Sequence, residues 1–311
     1  MIVPKKILPA WMAESPIVLT GASGLLGSHF CRQLSNFRNL VPVSFSHPVT
    51  GFSHTRVVDL RDRQGSHRLL ETIQPRIILH CAAETNVEKC EKTPAAAVRA
   101  NVDMTNYLVE WIQRYSRDTL LVFISTDQVY HGEGPHQEQY IYPRNVYALT
   151  KCAAESLVRS CPRHLILRAN FVGWSPRGAG FVNWLFDRLT SGEPLTLVED
   201  VKFNPLSAED LVVIVLELIC RQVQGTFNVG AGGPGWSKAE FGFRLGGELG
   251  LNLNGIHVGK IHELGLCAMR PNDMTMDVRA AETALSRSLP TMEDTIFRLV
   301  SEAKAMRLCV E

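Results

Sequence analysis

Four groups of residues in this chain have types and spacings that could carry chemistry. Tyr147-Ala148-Leu149-Thr150-Lys151 places a phenol and an ammonium four residues apart, on one face if the segment is helical. A tyrosine titrating near about 10 is a poor acid–base group at neutral pH. A lysine one turn away would stabilise the phenolate and lower that value, so the pair could pass a proton to or from a substrate oxygen. Ser125-Thr126-Asp127-Gln128-Val129-Tyr130 follows an apolar run, and a hydroxyl there, that of Thr126 above all, could bind a reacting carbonyl oxygen. Thr20-Gly21-Ala22-Ser23-Gly24-Leu25-Leu26-Gly27 is a glycine turn. Gly21 would allow the tight turn, Gly24 would let backbone approach a diphosphate, and Gly27 would let the next helix pack closely. The N–H groups at that helix start, over Ser23, Leu25 and Leu26, would face the phosphates.

The fourth group lies at the end of the second apolar run, Val43-Ser44-Phe45-Ser46-His47. A carboxylate there would accept from the ribose hydroxyls of NAD. None is present. Ser44, Ser46 and His47 suit a 2′-phosphate better, so NADP(H) is expected ahead of NAD(H). Asp59, with Leu60 at the end of the third run, is placed to take the adenine amino group. Each feature alone is ordinary, since Tyr-x-x-x-Lys is common on helix surfaces and a Ser-Thr pair often caps a helix. Glycine turn, strand-end hydroxyl and Tyr-x-x-x-Lys in this order are what hydride transfer needs.

The elements that must hold these groups alternate. Apolar runs at 17–19, 40–45, 56–60, 76–81, 120–124, 165–168 and 226–229 predict seven short strands. Helical spacing separates them at 28–34, 65–73, 94–113, 146–160 and 211–220, with Pro94 suited to a first helical turn. The expected class is α/β, a doubly wound parallel Rossmann sheet. After Arg168 the rhythm breaks. The Gly-, Pro- and Trp-rich stretch 171–200 and the stretch 231–280 cannot extend the sheet. The division expected is a dinucleotide-binding domain over 1–170, to which 201–230 returns, and a smaller C-terminal substrate-binding lobe over most of 171–311. Residues 1–15 read as a loose extension.

Composition excludes several classes. In 311 residues, 45% are hydrophobic and 20% charged, close to a globular average. The 32 basic and 31 acidic side chains nearly cancel, so no broad basic field for nucleic acid is expected. Eight cysteines form no Cys-x-x-Cys pair, which argues against a metal site and for a reduced, cytoplasmic setting. The most apolar run, 211–220, holds Glu217 and is too short to span a membrane.

With these motifs in place, the chain resembles the extended short-chain dehydrogenase/reductase family, and within it the dTDP-4-dehydrorhamnose reductase group. The resemblance is carried by TGASGLLG at 20–27, HCAAETNVEKCE at 80–91, STDQVY at 125–130 and PRNVYALTK at 143–151. LRANFVGW at 167–174, FNPLSAEDL at 203–211, GTFNVG at 225–230 and RPNDMTMD at 270–277 extend it. It implies that Tyr147 donates the proton, that Lys151 holds the nicotinamide ribose and tunes Tyr147, and that Thr126 binds the substrate carbonyl. It places Cys81, Ala82 and Ala83 beside the cofactor, and Thr85, Val87 and Asn170 near the sugar. Arg270 could pair with the diphosphate, or form a structural salt bridge. Cys81 stands where the family usually has Asn. The implied substrate is a nucleotide-linked 4-keto-6-deoxyhexose, and the candidate assembly is a homodimer. Two alternatives stay open, a nucleotide-sugar epimerase and a non-catalytic NADP-binding subunit similar to the regulatory subunit of methionine adenosyltransferase. A dehydratase would need a glutamate base where this chain has Gln128, which cannot ionise.

Overall fold

The computed structural model describes residues 10–308 apart from 47, 50 and 53. Seven parallel strands form the central sheet, β1 Ile17–Thr20, β2 Leu40–Ser44, β3 Arg56–Val57, β4 Ile77–His80, β5 Leu120–Thr126, β6 His164–Ala169 and β7 Gly225–Val229. Their order is β7-β6-β5-β4-β1-β2-β3. β1, β4 and β5 are buried at every position, as strands covered on both faces must be. Side chains alternate between two cores. Ile17 and Leu19 join Phe30, Val122 and Leu211 on one face, while Val18, Ile78 and Phe123 join Leu70, Leu108 and Trp111 on the other.

The chain leaves β1 for β2 on one side and reaches β4 on the other. The reversal makes a crevice at the carboxyl ends of β1 and β4, where Thr20 pairs in register with His80. One strand over, Thr126 ends β5 opposite Ala169. The glycine turn, the strand-end hydroxyl and the Tyr-x-x-x-Lys helix are arranged along this edge.

Several expectations need correction. β3 is two residues long, because Asp59 and Asp62 turn the chain into the helix Arg63–Ile73, which Asp62 caps. β5 runs on through Ser125 and Thr126, whose backbones still pair with β6. The expected helix over 94–113 is three pieces, Pro94–Val98, a π turn at Arg99–Asp103, and Met104–Tyr115. Residues 10–15 are not loose. Ala10–Glu14 is a helical turn whose Met12 is fully buried against Cys220.

The stretch 171–200 contains a helix, Phe181–Ser191, and a strand, Leu195–Val198, that pairs in parallel with Ile256–Gly259. A further helix, Met292–Leu308, has no counterpart among the expected elements. It packs its Leu299 and Val300 into the same core as the helix Leu25–Gln33. Among the described residues no helix is long and apolar enough to cross a membrane, and the seven described cysteines are free.

Candidate active site

The glycine turn is shaped by contact with the end of β4. Gly21 has φ +68°, and a Cβ there would stand 2.7 Å from Ala82 N and 2.9 Å from Cys81 C. A Cβ on Gly27 would stand 2.2 Å from Gly21 O. Both clashes are with backbone, so neither position tolerates a side chain. Gly24 is the N-cap of the helix Leu25–Gln33 and offers no side chain to its open N–H groups. The result is a backbone cradle at a helix start, which fits a dinucleotide diphosphate. Ser23 lies at the lip, where its hydroxyl accepts from the Arg177 guanidinium at 2.7 Å.

A buried histidine locks this cradle to the next strand. Thr20 Oγ1 lies 2.7 Å from His80 Nδ1 and accepts from Ala82 N at 3.1 Å. His80 Nε2 lies 3.0 Å from Thr105 Oγ1, which donates to Asn101 O at 2.7 Å. With the Thr105 proton directed to that carbonyl, His80 must donate from Nε2 and accept from Thr20 at Nδ1. Burial, with the Lys151 charge, pushes His80 down to about 3, so it is neutral at any working pH. Asn101, inside the π turn, accepts from Glu84 N at 2.8 Å and donates to Thr150 Oγ1 at 2.9 Å. The loop after β4 and the helix Val146–Val158 are thereby held to each other.

That helix starts at Asn145, whose Oδ1 accepts from Ala148 N at 2.8 Å, and it brings Tyr147, Lys151 and Glu155 to the end of β5. Tyr147 shares a hydrogen bond with Thr126. Lys151 Nζ donates to Ile124 O at 2.7 Å and lies 3.9 Å from the centre of the Phe123 ring. Thr126, Tyr147 and Lys151 are thus brought together, all buried. The electrostatics differ from expectation. Burial, with the Asp127 carboxylate adding to it, raises Tyr147 above its usual value despite the Thr126 hydrogen bond. Burial pushes Lys151 down to about 7, and its ammonium is turned to the Ile124 carbonyl. The lysine therefore does not draw the proton off the tyrosine, and Tyr147 holds its proton at neutral pH.

Asp127 forms the floor beside Tyr147. Burial pushes its carboxyl up to about 6, against the hydrogen bonds of Asn170 and Thr126 and the charge of Lys238. Asn170 donates its amide to Asp127 Oδ2. Lys238 opens the helix Lys238–Glu248 and sets its Nζ 4.8 Å and 4.3 Å from the centres of the Phe181 and Phe203 rings. Burial lowers it to about 8, partly restored by Asp127. Gln128 donates to Met274 Sδ at 2.6 Å. Thr85 is exposed on the loop after β4, and Val87 opens the helix Val87–Lys92. Arg270 NH2 is 3.2 Å from Glu88 Oε1, so of the two roles expected for it the ion pair is present. Glu88 also accepts from Cys267 N at 2.9 Å and Ala268 N at 3.2 Å. Cys81 is a neutral thiol, pushed by burial to about 12, and contributes backbone rather than a hydrogen-bonding side chain. Ala82 and Ala83 follow it, half-buried along the crevice.

At the far end of the crevice Ser44 is buried and Ser46 exposed. His47 lies outside the described residues. Arg61 supplies a cation the motif reading missed, 4.5 Å above the exposed Phe45 ring. It also engages Asp59 bidentately, at 2.8 Å on each oxygen, which fixes the orientation of the carboxylate. The Leu60 side chain is in the core and can offer only backbone. Arg61 was within reach of sequence reasoning as a basic residue two positions after Asp59, whereas Arg177 reaches Ser23 from a segment 154 residues away. Lys238 and Asn101 carried no such signal, because they enter from segments distant in the chain.

Comparisons with known proteins agree with this geometry. The family described as RmlD substrate binding domain matches residues 15–305. The probable low-salt glycan biosynthesis reductase Agl14 of Haloferax volcanii is 31% identical over 291 residues, 90% of this chain and 96% of that protein. The dTDP-4-dehydrorhamnose reductase of Salmonella typhimurium is 29% identical over 228 residues, 70% of this chain and 73% of that protein. Among solved structures, dTDP-4-dehydrorhamnose reductase from Bacillus anthracis in complex with NADP superposes with a TM-score of 0.82 at 25% identity, over 93% of this chain and 99% of that one. With the match running through the crevice and on through the small lobe, the chain belongs to the RmlD, dTDP-4-dehydrorhamnose reductase-like family of extended short-chain dehydrogenases/reductases.

Proposed function

We propose that this protein is an NAD(P)H-dependent reductase of a nucleotide-linked 4-keto-6-deoxyhexose, acting as dTDP-4-dehydrorhamnose reductases do. The observation that carries the reading is the arrangement of a buried Tyr147 beside Thr126 and one turn from Lys151, at the mouth of a backbone cradle for a diphosphate. Bound NAD(P)H supplies the hydride. The cradle from Gly21 to Gly27 holds its diphosphate, and Ser44, Ser46 and Arg61 favour a 2′-phosphate over a bare ribose.

Thr126 and Tyr147 bind the C4 carbonyl oxygen, and Tyr147 gives it a proton as the carbon is reduced. Lys151 holds the nicotinamide ribose. Asp127, Asn170, Thr85 and Val87 line the sugar pocket, Lys238 faces it from the small lobe, and Arg270, oriented by Glu88, offers its remaining N–H groups to the nucleotide diphosphate. Residues 1–170 with 201–230 form the cofactor half in this reading, and most of 171–311 the substrate half. The enzyme is cytoplasmic and homodimeric; size-exclusion chromatography with light scattering tests the second point, and fractionation of cells the first.

The test is turnover. Purified protein is mixed with NADPH and dTDP-4-keto-6-deoxyglucose, with and without a 3,5-epimerase, and absorbance of the reduced cofactor is followed. Oxidation that depends on the epimerase establishes a reductase of the rhamnose precursor, and oxidation without it a reductase of the unepimerised sugar. Protein that binds NADPH and oxidises none would overturn the assignment in favour of a binding subunit.

A further inference from the structure

The helix Val146–Val158 addresses the end of β5 at three successive turns. Tyr147 shares a hydrogen bond with Thr126, Lys151 Nζ donates to Ile124 O at 2.7 Å, and Glu155 Oε1 accepts from Ser125 Oγ at 2.6 Å. The helix residues are four apart and share a face; the strand residues are consecutive. Glu155 is fully buried and its carboxylate is filled. Arg168 grips it from β6, Nε to Oε1 at 3.0 Å and NH2 to Oε2 at 2.7 Å, and Arg159 adds a contact at 2.7 Å. Arg168 NH1 also donates to Tyr130 OH at 3.0 Å, and Tyr130 OH to Asn228 Oδ1 at 2.5 Å. A bidentate pair anchored on a helix and a strand has one orientation.

We propose that Glu155 is a positioning residue for the reaction centre, holding the strand segment that carries Thr126 through Ser125 and supporting the positive charge of Lys151 one turn away. The proposal deepens the reductase reading, on which it rests only for what the centre does. The groups around Lys151 leave Glu155 as its counter-charge. From the end of β4 come His80, which is neutral, and Cys81, whose thiol is pushed to about 12. From β5 come the Phe123 ring and the Ile124 carbonyl. Its own helix contributes Tyr147, which keeps its proton, and Glu155. Burial pushes Glu155 up, but Arg168 and Ser125 outweigh it and hold the carboxylate ionised. Arg159 and Arg168 stand on the Glu155 side of the pair. A salt bridge serving the fold alone could be replaced by apolar residues at little cost. It would not need a third hydrogen bond to the residue beside Thr126.

The test reads Lys151 directly. Protein labelled with 13C at lysine Cε is titrated by NMR, with Lys151→Arg assigning the signal. Glu155→Gln should move the Lys151 midpoint down by about one pH unit, and Glu155→Asp, which keeps the charge, should leave it near the wild-type value. A Glu155→Gln midpoint equal to wild type overturns the charge role. Because Glu155→Gln strands the Arg168 charge, the double variant Glu155→Gln/Arg168→Gln repeats the measurement without it. Ser125→Ala leaves both charges in place. Its midpoint should not move, hydrogen exchange over residues 124–128 should quicken, and kcat should fall about tenfold with NADPH affinity retained. Wild-type exchange and kcat in Ser125→Ala overturn the positional role. Loss of fold in both Glu155 variants with an unaltered Ser125→Ala overturns the proposal as a whole. The titration and the exchange need neither cofactor nor sugar, so a wild-type protein that reduces no keto-sugar sinks the reductase reading without touching this one.

Discussion

Replacing Asp127 by asparagine tests the electrostatics of the pocket without any substrate. The carboxyl is 4% exposed. It accepts from Asn170 and from Thr126 at 3.2 Å and feels the Lys238 charge, yet burial still lifts it from an ordinary 3.8 to about 6. Between those two values the folded chain keeps a proton that the unfolded chain has released, so stability falls as pH rises through the window. The gap between about 6 and 3.8, at about 1.36 kcal/mol per pH unit, amounts to about 3 kcal/mol lost above pH 6, only a small part of it already lost at pH 4. Asparagine cannot ionise and escapes this loss. The stability of Asp127→Asn minus that of wild type should therefore be larger at pH 7.5 than at pH 4 by about 2–3 kcal/mol. Urea unfolding followed by tryptophan fluorescence at pH 4, 5, 6 and 7.5, at constant ionic strength, measures it. Any packing offset between amide and carboxyl is the same at each pH and cancels. A difference that stays flat across the series would refute a carboxylate buried without full compensation.

Tyr147→Phe removes the proton donor and should lower kcat by about 10²–10⁴ while NADPH affinity stays within about twofold; normal turnover would remove Tyr147 from its role. Gly21→Ala meets backbone at 2.7 Å with φ at +68°, so NADPH affinity measured by fluorescence should fall at least about tenfold, and wild-type affinity would refute the cradle. Lys238→Met keeps an unbranched stem beside Phe181 and Phe203 but drops the charge. The keto-sugar KM should rise about tenfold with NADPH affinity unchanged, and an unaltered KM would place Lys238 outside the pocket.

The sheet was legible because each buried strand is a short apolar run closed by a turn, and such runs depend little on distant context. β1, β4 and the apolar part of β5 read correctly for that reason. The errors fall where tertiary contact overrides local pattern. Ser125 and Thr126 are polar, yet they remain strand because β6 and the carboxylate of Glu155 satisfy them. The π turn at Arg99–Asp103 interrupts a segment whose spacing reads as continuous helix, and it aims Asn101 at Glu84 and Thr150. Trp174 lies in the Gly-, Pro- and Trp-rich stretch where the strand rhythm breaks. Its indole N–H is fixed to Leu299 O at 2.9 Å by a C-terminal helix that left no motif.

The site divides along the same line. Spacing alone put Tyr147 and Lys151 on one face, and both arrive beside Thr126. What spacing cannot carry is the charge state of that group, because burial and neighbours far apart in the chain set it. A lysine one turn from a tyrosine reads as a phenolate stabiliser, but here the ammonium is aimed at Ile124 O and weakened by burial, and Asp127 stands on the tyrosine's other side. Both effects keep the proton on Tyr147. The charge state of the pair is set by burial and by where Asp127 and the Ile124 carbonyl sit, and neither belongs to the Tyr-x-x-x-Lys motif.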